Sequence, residues 1–119
     1  MYPTVNRTLV LIKPKKPFID WAKYVDNENE LSDELIEETF SEYSAYLMKD
    51  VDDEDELEKI IRKQYSKIFE NELAGWSQDE SEWPQKRSYE VFKEWFEIIS
   101  SLTIFDTDTT LLVRDLDLL

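Results

Sequence analysis

The chain has 119 residues, enough for one domain that buries roughly two thirds of the surface its unfolded form exposes. Hydrophobic residues make up 41% and aromatic residues 13%, so a packed core is expected despite 35% charged residues. Cysteine and histidine are both absent, which excludes disulfides, thiol chemistry, thiolate ligation and the usual general base near neutral pH.

Net charge is −14, and it is unevenly spread. Residues 1–25 hold five basic side chains against Asp20, residues 26–58 hold fifteen acidic against Lys49 alone, and residues 59–119 hold twelve acidic against eight basic. The middle block dominates the field of the molecule, which repels phosphate backbones and favours basic partners. Nucleic-acid binding is therefore not expected. No run of 18 apolar residues and no charged-then-apolar leader at Met1 is present, so the expectation is a soluble, cytoplasmic protein without membrane association.

In chain order, residues 1–6 read as a loose lead-in. The run TLVLI from Thr8 is β-branched and aliphatic without polar alternation, as in a strand covered on both faces or central in a small sheet. Pro14 and Pro17 close it, and Pro17 suits the first turn of a helix whose inward face is Phe18, Trp21, Ala22 and Val25. Residues 26–34 form an acidic loop, and Ser32 can cap a short helix from Asp33 to about Thr39 with Leu35, Ile36 and Phe40 inward. Tyr43 to Val51 alternates imperfectly and reads as a second strand.

The strongest signal follows. Leu57, Ile60, Ile61, Tyr65, Ile68, Phe69, Leu73 and Trp76 recur at steps of three and four, the stripe of a long amphipathic helix. Asp52 or Asp53 supplies its N-cap, with Glu56 completing a capping box, and Gly75, the sole glycine, is expected at the C′ position with positive φ. Asp79 with Glu82 marks a single helical turn before Trp83 and Pro84. Ser88 then caps a helix with Val91, Phe92, Trp95 and Phe96 on one face, and Ile98 to Phe105 reads as a third strand. DTDTT is a turn, after which Leu111 to Val113 is a candidate fourth strand, and residues 114–119 are expected to fray. The segments assemble most simply as an α+β two-layer sandwich. In it, a three- or four-stranded sheet is covered by the long central helix and two or three shorter ones.

The segments PKKPFIDW (Pro14 to Trp21), QYSKIFENELAGW (Gln64 to Trp76), WPQKRSYEVFKEWFEI (Trp83 to Ile98) and the aliphatic strand ending in Asp106 resemble a family of small, acidic bacterial cytosolic proteins. The resemblance spans nearly the whole chain. It implies no activity, substrate or catalytic residue.

Chemistry-bearing motifs are scarce. Asp50, Asp52 and Glu54 begin like a calcium loop, but its sixth and twelfth positions are Asp55 and Ile61 where glycine and glutamate are needed. Asp106, Asp108 and Thr110 fail the same comparison. One glycine cannot make a phosphate loop. The expectation is a non-enzymatic interaction module, without cofactor or metal, that docks a basic protein partner. The acidic residues Asp52, Asp53 and Asp55 are its candidate contacts, together with Trp83, a tryptophan on a polar loop beside Lys86 and Arg87. Lys15 and Lys16, with Lys13, either pair with the acidic block or form a basic spot shared with Lys86 and Arg87. Two rivals stand beside this reading. A nucleic-acid mimic needs the acids of residues 26–58 in one exposed row, and a carboxylate–metal hydrolase needs them converging in a cleft.

Overall fold

A computed structural model describes residues 1–26 and 32–116, with the exception of the Asp33 side chain. Most of the expected acidic loop at 26–34 and the last three residues of the expected frayed end thus lie outside the described residues. The elements are β1 (Arg7–Pro14), α1 (Lys16–Val25), α2 (Asp33–Thr39), β2 (Ser44–Lys49), α3 (Glu54–Trp76), a 3-10 turn η1 (Glu80–Glu82), α4 (Tyr89–Trp95) and β3 (Phe96–Ser101). The fold is α+β: a three-stranded antiparallel sheet in the order β2-β1-β3, with the helices packed on it.

β1 is aliphatic throughout because it is the central strand, not because both faces are covered. Thr8, Val10 and Ile12 are fully buried against the helices, while Leu9 and Leu11 on the other face are half-buried. The Thr8 hydroxyl is satisfied in this apolar setting, its Oγ1 accepting from the Val51 amide at 3.3 Å. Register then puts Met48 and Phe96 on the helix side, opposite Thr8 and Pro14.

α3 has 23 residues and is about 35 Å long, enough to cross the sheet. Asp53 caps it, its Oδ1 accepting from the Glu56 amide at 2.8 Å, while Glu56 reaches back to the Asp52 amide at 3.4 Å. Ser32 and Ser88 cap α2 and α4 in the same way, accepting from Leu35 N and Val91 N. Gly75 does not occupy the expected position. It lies inside α3 with an ordinary helical backbone, and the cap is Ser77. The apolar stripe continues to Trp76, so burial of that indole carries the helix past the glycine.

Phe69, Phe92 and Phe96 form the centre of the core at 0%, 0% and 1% exposure, with ring centroids 5.2–5.8 Å apart. Phe18 of α1 joins them at 5.2 Å from Phe96. Phe96 is thus a strand residue. α4 passes into β3 with no residue between, because φ −136 and ψ 140 at Phe96 start the strand two positions before the expected Ile98. β3 also ends earlier, at Ser101. The region beyond it pairs with the lead-in through Thr4↔Phe105, Val5 N to Ile104 O at 3.0 Å and Asp106 N to Pro3 O at 2.8 Å. The expected fourth strand at Leu111 to Val113 is not formed; those residues lie exposed after the DTDTT turn, paired with neither edge strand.

Candidate functional site

Three of the four indole N–H groups are bound to backbone carbonyls, and together they fix the loop after α3. Trp21 donates to Glu82 O at 2.8 Å, Trp83 to Ser77 O at 2.8 Å, and Trp76 to Ala22 O at 2.9 Å. Trp83 is half-buried, with the Arg87 guanidinium 5.7 Å from its ring centroid and bonded to Pro84 O at 2.7 Å. Lys86 is exposed beside them.

The expected lysines go elsewhere. Lys15 donates to Lys93 O at 3.0 Å, neutralising the carbonyl end of α4, and Lys16 pairs with Asp20 at 2.6 Å. Lys13 lies 3.8 Å from Glu97 and 5.6 Å from the Tyr43 ring centroid. None pairs with the acidic block among the described residues. Lys15 stands at the C-terminal end of α4, whereas Lys86 and Arg87 precede its N-cap, so a turn-and-a-half or more of helix, about 10 Å, separates them.

Asp52 and Asp53 belong to the cap of α3, and Asp55 lies beside Glu58, Lys59 and Arg62. Acids of the middle block therefore occupy both ends of α3. One group is at its N-terminus, and the other is on α2, whose Phe40 ring lies 5.3 Å from Trp76 at the far end. A single row, which mimicry of nucleic acid requires, does not result. Among the described residues no group of three or more carboxylates is placed to hold a metal ion.

A concavity lies at the C-terminal end of α3. It is an open cleft of about 500 Å³ between α2, the start of β2 and the last turns of α3. Phe18, Phe40 and Trp76 give it an aromatic wall, and Glu42 and Glu72 give it two carboxylates; among the described residues no basic side chain lines it. Glu72 is held in place from both oxygens. Ser44 Oγ donates to Oε1 at 2.9 Å and Tyr46 Oη to Oε2 at 2.5 Å, while Asn71 Nδ2 donates to Tyr46 Oη at 2.9 Å. Burial, and then the bond to Glu72, pushes the Tyr46 phenol well above its ordinary range, so the tyrosine stays protonated and donates to the carboxylate.

Two further features make this end of the molecule receptive to a cation. The last turn of α3 carries no basic side chain, so the negative end of its dipole is uncompensated. Gly75 opens onto the cleft, and a Cβ built there would meet nothing within 4 Å. Glycine in a helix interior costs about 1 kcal/mol relative to alanine, and neither positive φ nor close packing requires it here.

None of Glu42, Glu72, Phe40 and Gly75 is singled out by sequence pattern as a site. Gly75 carried the available signal, because an apolar stripe that resumes at Trp76 places the glycine within the helix and not after it. The chain matches no family model, no curated protein and no solved structure.

Proposed function

We propose that this protein is a non-enzymatic cytoplasmic interaction module that docks a basic protein partner, receiving an arginine or lysine side chain in the cleft at the C-terminal end of α3. The observation that carries this reading is the pairing of two carboxylates with an aromatic wall in a concavity that, among the described residues, no cationic side chain lines. A guanidinium or ammonium there gains an ion pair with Glu72, a ring face on Trp76 or Phe40, and the uncompensated end of the α3 dipole. The bare helix surface at Gly75 leaves room for the aliphatic stem. Exposed Glu34, Glu37 and Glu38 on the adjoining α2 extend the negative rim, and the net charge of −14 steers a basic partner toward it. The absence of histidine and cysteine weighs toward docking and away from chemistry.

The test is a titration of the labelled protein, followed by NMR, with an arginine-containing peptide and with its citrulline counterpart. The arginine peptide is expected to shift Trp76, Phe40 and Glu72 signals and the neutral one to leave them in place. Glu72→Gln combined with Glu42→Gln is expected to weaken binding at least about tenfold. Gly75→Leu, which fills the cleft while improving helix propensity, is expected to do the same without loss of fold. Equal shifts with both peptides, or binding unaffected by these variants, would rule the cleft out.

A further inference from the structure

β2 is an edge strand. It pairs with β1 on one side, and among the described residues no strand meets its outer edge, where alternate backbone N–H and C=O groups point away from the sheet. The two edges of the sheet are finished differently. Beside Ile98 and Ser100 of β3, the rim of α3 presents Glu54, Asp55 and Glu58. Beside β2 lies a groove of about 240 Å³ between four consecutive strand residues, Tyr46 to Lys49, and Ile60, Gln64 and Ile68 of α3; among the described residues no carboxylate lines it. Inward-pointing charges deter strand addition at an edge. The helix side of β2 has none, since it presents Ser44, Tyr46 and Met48, directly across from buried Ile12, Val10 and Thr8.

The groove runs into the cleft. Ile60, Gln64, Ile68, Glu72 and Gly75 follow one another on α3 at helical steps of four, four, four and three, a single stripe alongside β2. The first three line the groove and the last two line the cleft. Tyr46 ties strand to helix at the junction through its bonds with Asn71 and Glu72. On the strand, Met48 lines the groove and Ser44 lines the cleft, four residues or about 14 Å apart on the same face. The two ends carry opposite charge. Glu42 and Glu72 stand at the cleft, while Lys49 at the far end lies directly opposite Arg7 across the ladder, and among the described residues neither base has an ion pair. Like charges set opposite each other are unfavourable until an acid joins them.

We infer that the partner docks as an extended segment that adds an antiparallel strand to the outer edge of β2, and that it is recognised by an acidic residue, an apolar residue next to it and a basic residue four further on. The inference rests on the cleft reading above and supplies the partner's backbone conformation and residue spacing. The free edge of β2 selects an extended backbone. Side chains of an added strand alternate between the faces, so the residues opposite Met48 and Ser44 both point toward α3. The first fills the apolar groove, and the second, four positions on, enters the cleft, where the carboxylates call for a base. The residue opposite Lys49 points to the other face, where a carboxylate meets both Lys49 and Arg7. Antiparallel pairing continues the pattern of the existing sheet and sets the order, acid first and base last.

The experiment is an NMR titration of the labelled full-length protein with an eight-residue peptide, blocked at both ends, that carries glutamate, leucine, three serine or threonine residues and arginine in that order. The backbone amides of residues 45–49 and the methyl groups of Ile60 and Ile68 are expected to shift together with Trp76 and Glu72. Moving the leucine one place toward the arginine sends it to the wrong face and is expected to weaken binding at least about tenfold. N-methylation of alternate peptide amides is expected to abolish binding in one phase and to spare it in the other, because only one set enters the ladder. Lys49→Glu, at an exposed position, is expected to keep the wild-type circular dichroism and to weaken binding about fivefold, and a peptide with lysine in place of its glutamate to recover it. Shifts at Trp76 and Glu72 without shifts along β2, equal affinity for the leucine-shifted peptide, or a like response to both N-methylated forms would overturn the inference and leave the cleft standing. No shift at Trp76 and Glu72 with any arginine peptide would remove the cleft and this inference with it. Shifts of the β2 amides on dilution of the protein alone would place a second copy on the edge, which also overturns it.

Discussion

The two faces of β1 carry nearly the same residue types and have opposite fates. Thr8, Val10 and Ile12 are fully buried on the helix side, whereas Leu9 and Leu11, one residue out of step, are only half-buried on the other. Aliphatic composition alone did not decide which side would be core. What decided it was the aromatic set Phe18, Phe69, Phe92 and Phe96, which can fill only one layer. The consequence is a division of labour: stability is concentrated on the helix side, and the other side stays partly exposed.

The largest expected effect breaks the sealed side. Phe92 contacts the Tyr65, Phe69 and Phe96 rings at 0% exposure, so Phe92→Ala is expected to cost about 3–5 kcal/mol, read from urea unfolding. A shallow loss would mean that the helix layer is not the source of stability.

A medium effect lies at the edge of that layer, where Tyr46 bonds to Glu72. Tyr46→Phe keeps the ring and deletes the hydroxyl, with an expected loss of about 1–2 kcal/mol. Its pH dependence has a fixed sign. Burial and Glu72 hold the phenol above its ordinary value of 10.0, so folding favours the protonated form. That stabilisation is fully present below the ordinary value and is lost as pH rises toward the folded one. The variant should therefore show a smaller alkaline decline than the wild type when unfolding midpoints are compared from about pH 8 to about pH 11.

The smallest effect belongs to the open side. Leu47→Ser is expected to change the stability of dilute single chains by less than about 1 kcal/mol, because half of the side chain is already solvated. A loss as large as that of Phe92→Ala would erase the distinction between the faces.

Features governed by near neighbours in the chain were legible in the sequence. The caps at Ser32, Asp53 and Ser88 each form through a bond to a residue three positions on, and the stripe from Leu57 to Trp76 needs only helical periodicity. Features set by distant partners were not. Phe96 reads as the end of a helical face until Pro14 supplies its strand partner, and Lys15 reads as a free base until it meets the carbonyl of Lys93. The cleft gathers residues as far apart in sequence as Phe18 and Trp76, and no local pattern announces that.

The direct junction between Trp95 and Phe96 has a mechanical consequence. With no slack between α4 and β3, the Ser88 cap and the position of every β3 side chain are locked in phase. Adding one residue at that junction would turn the strand over, sending Ile99 inward and Ile98 out, so both sides of the sheet would be rewritten by a change that touches neither.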